Sequence, residues 1–401
     1  MDPDLEMAAA GIGESDEAND DEKDTRMLDA IFRRDGKNGV LKFAREKNSE
    51  WNEVEVNIGV TGSSGVGKSS IINTLRDLVS PNEPGWAKVN VVEETKIPRV
   101  YEYPRNPKIK LWDLPGVGTP SFPRDSYLQK INFKRYDVFI IICAGRFTKK
   151  ELWLAREISK IGKKFIFVRS KVHMDVENER RTYSLGPAFD ERVLDKIRRN
   201  CQENLSDFEN QRVFLIDNFE PLLYDFGDLV EEIVNVTPAE KREAIVRSLP
   251  AFSLKMIDEK EAQLSKNIKY VAISAAVADA INIPGIGVSL NEERLMAEFN
   301  MFREEFGLSE EMLARTAAKL GYSKTELSRL AKLRTTAFSL MSLLGFAFNL
   351  EGSILKGLAF NLFATVLNCA TSYHVAYNIL HEMLQLTADD ARRVFAEMKR
   401  H

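Results

Sequence analysis

The sequence has few cysteines, and the three that it has lie far apart. Cys143, Cys201 and Cys369 cannot build a disulfide framework, which favours a reducing, cytosolic setting. The amino terminus lacks an apolar run and carries Asp2 where myristoylation needs glycine, so neither a secretory signal nor that lipid anchor is expected. Basic residues alternate with acidic ones and form no stripe with aromatic side chains. Nucleic acid is therefore not an expected partner.

Long apolar runs of the kind that cross a membrane are also missing. Segments 335–350 and 357–380 contain no Asp, Glu, Lys or Arg, but the first is shorter than the roughly 20 residues that a span needs. The second carries several polar side chains, among them Asn361 and Asn368. Two interpretations stay open for both segments: buried helices of a helical domain, or interfacial helices that dock on a membrane surface.

The charge is distributed unevenly along the chain. Residues 1–24 hold ten acidic residues and one lysine, so the rest of the chain is net positive although the total is −4. Such an acidic segment has almost nothing to bury, and its composition predicts a disordered tail.

The pattern of apolar residues divides the remaining chain into three parts. Residues 25–50 predict helices with a break at the glycines near residue 36, packing on a helical domain because they cannot bury an apolar face alone. Residues 51–238 alternate short β-branched runs with amphipathic patterns, which predicts an α/β fold with a doubly wound, mostly parallel sheet. Only helical periodicity follows, which predicts an all-helical domain over 239–401. The strands are expected at 54–60, 108–114, 137–143, 164–170 and 212–217.

A glycine-rich loop that matches G-x-x-x-x-G-K-[ST] follows the first predicted strand and opens a helix. Backbone N–H groups of such a loop bind phosphate oxygens, Lys68 reaches the terminal phosphates, and the Ser69 hydroxyl is a ligand for Mg²⁺. The candidate phosphate-binding residues are Gly62, Ser63, Ser64, Gly65, Val66, Gly67, Lys68, Ser69 and Ser70.

The string D-L-P-G at 113–116 is the second part of the predicted nucleotide site. Asp113 ends a buried strand and can support the Mg²⁺ shell, and Gly116 can offer its N–H to a γ-phosphate. Together with the loop it predicts a P-loop nucleoside triphosphatase. Val117 stands where Ras-like enzymes carry the glutamine that orients the attacking water, so hydrolysis by that route is not expected. Between the motifs, Thr95 is a candidate Mg²⁺ ligand. Glu93 or Glu94 is a candidate base or ribose contact, and the alternative is that both are solvated residues of the loop.

These strings resemble the immunity-related GTPases, a family of interferon-inducible, dynamin-like proteins. The resemblance covers roughly residues 25–401 and is strongest in NIGVTGSSGVGKSSIINTLR, VVEETK and LWDLPGVGTPSFPRDSYLQK. It implies a Ras-like G domain, GTP and GDP as ligands, and association through the G domains with hydrolysis activated in trans. It also implies contact with other family GTPases and recruitment to internal membranes, among them the endoplasmic reticulum, the Golgi and pathogen-containing vacuoles. Glu93 matches the family's catalytic switch I glutamate. Lys68 places the chain with the G-K-S members of the family, which implies an effector-type GTPase.

The chain departs from the family where the guanine base is read. The family carries T-K-x-D, whereas this chain has Ser170, Lys171 and then His173 at the aspartate position. A carboxylate accepts two hydrogen bonds from guanine, and a neutral imidazole accepts one. On an extended segment Asp175 would point to the same face as His173. The loop that reads guanine O6 in the family falls on Asp217 and Asn218. Asp217 stands where the family has a small hydroxyl residue.

The sequence thus predicts a GTPase that binds GTP and Mg²⁺ and dimerises through its G domain. Because His173 replaces the carboxylate, two alternatives stay open. One is a nucleotide-binding regulatory scaffold with little turnover, and the other is relaxed base choice with ATP accepted.

Overall fold

The computed structural model describes residues 3–89, 97–117, 122–183, 190–205, 208, 211–277, 281–282, 289–290, 292–337 and 364–400. Contacts divide the chain into two compact units. The first comprises Met1–Glu50, Leu264–Met301 and Ala337–Gln385, and the second comprises Trp51–Gln263, Phe302–Thr336 and Leu386–His401.

A six-stranded sheet forms the centre of the second unit. Its strands are β1 (Val56–Gly62), β2 (Arg99–Tyr103), β3 (Asn106–Asp113), β4 (Val138–Cys143), β5 (Lys164–Arg169) and β6 (Val213–Leu215). The order is β2-β3-β1-β4-β5-β6, with β2 antiparallel to β3 and the other neighbours parallel. The predicted parallel α/β sheet is confirmed. The edge strand β2 was not predicted, because most of its residues are exposed and no continuous apolar run marks it.

The helices of this unit cover both faces of the sheet. They are α2 (Lys68–Leu75), α3 (Arg124–Lys130), α4 (Lys149–Lys160), α5 (Val172–Tyr183), α6 (Asp190–Asn204), α7 (Phe226–Val236) and α8 (Arg242–Ser248). Alternate residues of β4 enter two separate cores: Ile140 and Ile142 pack in the core that includes α2 and α7, while Phe139 and Ile141 pack in the one that includes α4. This period of two explains why β4 is apolar throughout.

Helical segments beyond residue 238 belong to the sheet-containing unit, which differs from the predicted boundary. They include the first residues of α9 (Leu254–Val277), the end of α10 (Glu292–Glu305), α11 (Glu310–Lys319), α12 (Lys324–Leu330) and the end of α13 (Ala364–Arg400). The reason lies in buried polar contacts. The side chain of Arg247 is buried and pairs with Glu305 at 2.8 Å, and Asn106 of β3 donates to Ser248 at 3.4 Å. Periodicity along the chain does not reveal such long-range pairs.

The other unit contains α1 (Pro3–Ser49) and a short β7–β8 pair (Ile281–Asn282 and Ser289–Leu290). Gly36 interrupts α1 with φ 62°, as the glycines predicted. Helical backbone starts at Pro3, whereas composition predicted disorder for residues 1–24. Alanine, glutamate and methionine favour helix without any core to pack on, so a lack of burial does not exclude local helix. Phe43 and Ala44 of α1 pack on Tyr270 of α9.

No helix among the described residues has both the length and the apolarity needed to cross a membrane. Residues 338–350 of the first uncharged segment and 357–363 of the second lie outside the described residues.

Candidate functional site

The predicted phosphate loop joins the end of β1 to the start of α2. Two of its glycines have positive φ angles and leave no room for a side chain. Gly62 has φ +152° and Gly67 has φ +97°. A Cβ atom at Gly62 would lie 2.2 Å from the carbonyl oxygen of Ile142, and one at Gly67 would lie 2.9 Å from Nδ2 of Asn218. Gly67 is the N-cap residue of α2, so the free N–H groups of the first helical turn lie at the loop.

The other loop residues divide by exposure. Ser63, Ser64 and Gly65 form the exposed tip, whereas Val66, Lys68 and Ser70 are buried. The loop therefore presents its tip to solvent while its two ends are fixed in the core.

Lys68 and Ser69 open α2 and contact different groups. The Lys68 ammonium donates to the carbonyl oxygens of Gly62 at 3.2 Å and of Ser63 at 3.1 Å, which folds it over the loop. The Ser69 hydroxyl donates to Oδ2 of Asp113 at 3.2 Å. A hydroxyl from α2 and a carboxylate from the end of β3 are the oxygen donors that Mg²⁺ prefers. The donor set therefore fits the predicted metal site.

Glu151 of α4 holds the tip of the loop, a role that the sequence did not indicate. Its Oε1 accepts a hydrogen bond of 2.8 Å from the Ser63 hydroxyl. Its Oε2 accepts from the N–H of Thr148 at 2.9 Å, which forms a capping box at the start of α4. The spacing T-x-x-E is a visible capping signal. It does not show that the second carboxylate oxygen reaches the phosphate loop.

A buried tyrosine joins the loop strand to the turn after Asp113. The Tyr127 hydroxyl donates to the carbonyl oxygen of Pro115 at 2.8 Å and lies 3.1 Å from Oγ1 of Thr61. Burial raises the pKa of Tyr127, so that the hydroxyl keeps its proton and can donate. Gly116 and Val117, which follow this turn, are both buried.

The segment predicted to read the base is attached directly to the phosphate loop. The Ser170 hydroxyl, at the end of β5, donates to the carbonyl oxygen of Val66 at 2.5 Å. The Asn218 side chain, which follows β6, donates to the carbonyl oxygen of Gly67 at 3.3 Å. Lys171 lies between Ser170 and α5 with a positive φ of 60°. Ligands of parallel α/β sheets bind beyond the carboxyl ends of the strands, and these residues occupy that edge.

Asp175 does not lie beside His173 as the extended-segment expectation required. The segment is helical from Val172, so residues two apart point to different sides of α5. The Asp175 carboxylate instead pairs with the guanidinium of Arg169, a buried residue at the end of β5. The structure therefore gives Asp175 a different partner and leaves the aspartate position of the base-reading motif to the imidazole.

His173 and Asp217, the two departures from the family pattern, contact each other. Nδ1 of His173 lies 2.5 Å from Oδ2 of Asp217, whose side chain is buried. The other oxygen of Asp217 accepts from the N–H of Phe219 at 2.9 Å. No feature of the sequence predicted this pair, because 44 positions separate the two residues. Glu93 and Thr95 lie outside the described residues.

A mostly parallel sheet whose first strand ends in this phosphate loop, with the Ser69 hydroxyl donating to Asp113, is the arrangement of a P-loop GTPase. The chain belongs to the interferon-inducible GTPase family, whose model, described as "Interferon-inducible GTPase (IIGP)", matches residues 29–398.

Named relatives agree with that family. The chain is 34% identical over 359 residues to "Interferon-inducible GTPase 5" of Rattus norvegicus, covering 87% of this chain and 77% of the relative. It is 38% identical over 268 residues to "Interferon-inducible GTPase 1" of Mus musculus, covering 65% and 63%. Among solved structures, Era of Aquifex aeolicus bound to GDP and AlF₄⁻ matches with a TM-score of 0.31 and 17% identity, over 66% of this chain and 89% of Era.

Proposed function

We propose that this GTPase binds GTP with Mg²⁺ in the loop of residues 62–69 and hydrolyses it efficiently only when two copies meet through their G domains. The observation that carries the proposal is a complete phosphate site beside Val117, a buried apolar residue at the position of the water-orienting glutamine.

The proposed roles follow from the contacts of the side chains. Lys68 lies over the loop and would hold the terminal phosphates, and the loop N–H groups would stabilise the charge that develops on them. Ser69 and Thr95 would hold the metal, and Asp113 would support that shell. Bound Mg²⁺ neutralises charge on the phosphate oxygens. Glu93 would help to activate water or the partner's nucleotide.

Activation in trans predicts that turnover per molecule rises with protein concentration. The test is phosphate release from GTP by the full chain at increasing concentrations, with Lys68→Ala as the blank. We expect a rising rate per molecule for the native chain and none for the variant. A rate per molecule that does not change with concentration contradicts activation in trans.

We further propose that the chain acts at internal membranes together with other GTPases of the family, as an effector-type member. The support is the family membership and the uncharged segment 335–350. Flotation with vesicles that contain anionic lipid, in the presence of GTP or GDP, tests this. Recovery of the chain with the vesicles is expected, and its absence in both nucleotide states contradicts membrane action.

A scaffold with little turnover is the second candidate, and the imidazole at position 173 is the observation that favours it. GTP hydrolysis by the native chain at micromolar concentration would exclude it.

A further inference from the structure

The hydrogen-bond acceptors beyond the ends of β5 and β6 differ in whether they already have partners in the protein. The two carboxylates near the base-reading edge are both engaged: Asp175 pairs with Arg169, and the oxygens of Asp217 contact Phe219 N–H and His173. Both carboxylates are therefore held by groups of the protein itself, and the imidazole of His173 occupies the aspartate position of the motif.

The contact with Asp217 fixes the tautomer of His173. Nδ1 is buried and lies 2.5 Å from Oδ2 of Asp217, a distance at which two lone pairs would repel each other. A proton on Nδ1 replaces this repulsion by attraction to the carboxylate. In the neutral ring with its proton on Nδ1, the other nitrogen, Nε2, carries the lone pair. The side chain of His173 is 39% exposed, so the imidazole is open on one side.

We propose that Asp217 is a positioning residue and that His173 reads the base through one acceptor, Nε2. This inference rests on the proposed function, in which the phosphates of a guanine nucleotide lie in the loop of residues 62–69. Guanine and hypoxanthine both carry an N1–H that Nε2 can accept, whereas N1 of adenine is itself an acceptor. The 2-amino group, which separates guanine from hypoxanthine, finds no second acceptor on this pair. The pair therefore selects 6-oxopurines without reading the 2-amino group.

The test on the native chain is calorimetric titration with GDP, inosine diphosphate and ADP in the presence of Mg²⁺. We expect GDP and inosine diphosphate to bind within about threefold of each other, and ADP at least roughly tenfold more weakly. A preference for GDP over inosine diphosphate of tenfold or more overturns the inference while leaving GTP binding intact, because a second acceptor such as Asn218 Oδ1 must then read the amino group. Failure of GDP to bind overturns the proposed function as well.

Variants test the role of the pair. The double variant His173→Asp with Asp217→Ser places a carboxylate and a small hydroxyl at these two positions. We expect it to prefer GDP over inosine diphosphate by roughly 10- to 100-fold, since a carboxylate accepts from both N1–H and the amino group.

His173→Asp alone is the matched control, because it sets two carboxylates against each other. We expect it to bind GDP more weakly than the double variant does. If the single variant gains the same affinity and selectivity as the double variant, Asp217 does not position residue 173 and the inference fails. Thermal unfolding of each variant shows whether it is folded, and the comparison of nucleotides on the native chain does not depend on any variant.

Discussion

At the scale of single residues, the nucleotide site is made of neighbours with different tasks. Lys68 and Ser69 follow each other in α2, yet one lies over the loop and the other contacts Asp113. The motif fixes the order of loop, lysine and hydroxyl, so the sequence alone places these two residues at the loop. It could not predict the partners of His173 and Asp175, because Asp217 and Arg169 are distant or in another element.

The contact between Ser69 and Asp113 predicts how affinity depends on metal. Ser69→Ala removes the proposed metal ligand but leaves the Lys68 ammonium and the loop glycines in place. We expect Mg²⁺ to tighten GDP binding to the native chain by at least roughly tenfold more than it tightens binding to the variant. Titration of GDP with Mg²⁺ and with a chelator gives both values. An equal effect of Mg²⁺ on the two proteins would show that Ser69 does not hold the metal.

At the scale of elements, the strands were easier to predict than the segments that connect them. β1 and β4 are fully buried and appear as apolar runs, so the pattern alone located them. On an extended segment after β5, residues 173 and 175 would point to the same face. The structure has a helix there, α5, which begins at Val172. Residues two apart in a helix point to different sides, so Asp175 does not share the site with His173.

A buried aspartate ties the end of α13 to the turn at Thr335. Oδ2 of Asp390 accepts 2.8 Å hydrogen bonds from the N–H of Arg334 and from the N–H and hydroxyl of Thr335. Asp390→Asn removes the charge and turns one oxygen into a donor, which should lower the free energy of unfolding by about 2 kcal/mol. The neighbouring Asp389→Asn is the matched control, because Asp389 is half-exposed and its pairs with arginines contribute at most about 1 kcal/mol. Denaturant unfolding measures both, and equal losses would contradict the role of Asp390.

A buried lysine in α9 makes stability depend on pH. Burial lowers the pKa of Lys260 to about 7, against the opposing effect of Glu305, and its side chain donates to the carbonyl oxygen of Arg247 at 2.9 Å. In the unfolded chain the lysine keeps its proton up to about pH 10.4. Raising the pH from 7 to 9 therefore favours the folded state, in which the amine loses its remaining proton over this range, by about 2 kcal/mol.

Lys260→Met should remove this dependence on pH. Denaturant unfolding of both proteins at pH 7, 8 and 9 isolates the contribution of Lys260, because the other titrating groups are common to the two. We expect the free energy of unfolding to rise more steeply with pH for the native chain than for the variant. Parallel curves would show that Lys260 keeps an ordinary pKa.

At the scale of the whole molecule, the sequence predicted the two kinds of structure but not their boundary. The change from alternating strands and helices to helices alone lies near residue 238, whereas the compact units divide at residues 50, 263, 301, 336 and 385. Apolar periodicity reports the type of an element and which face is buried. It does not report which distant element covers that face, and buried pairs such as Arg247 with Glu305 decide that.

The central claim is that this member of the interferon-inducible GTPase family hydrolyses GTP in the loop of residues 62–69. The most direct test is phosphate release from GTP and from ATP, measured side by side for the native chain and for Lys68→Ala at micromolar protein concentration. The account predicts release from GTP by the native chain, little release from ATP, and no release by the variant. Equal release from both nucleotides, or activity that survives the loss of the Lys68 ammonium, would contradict it.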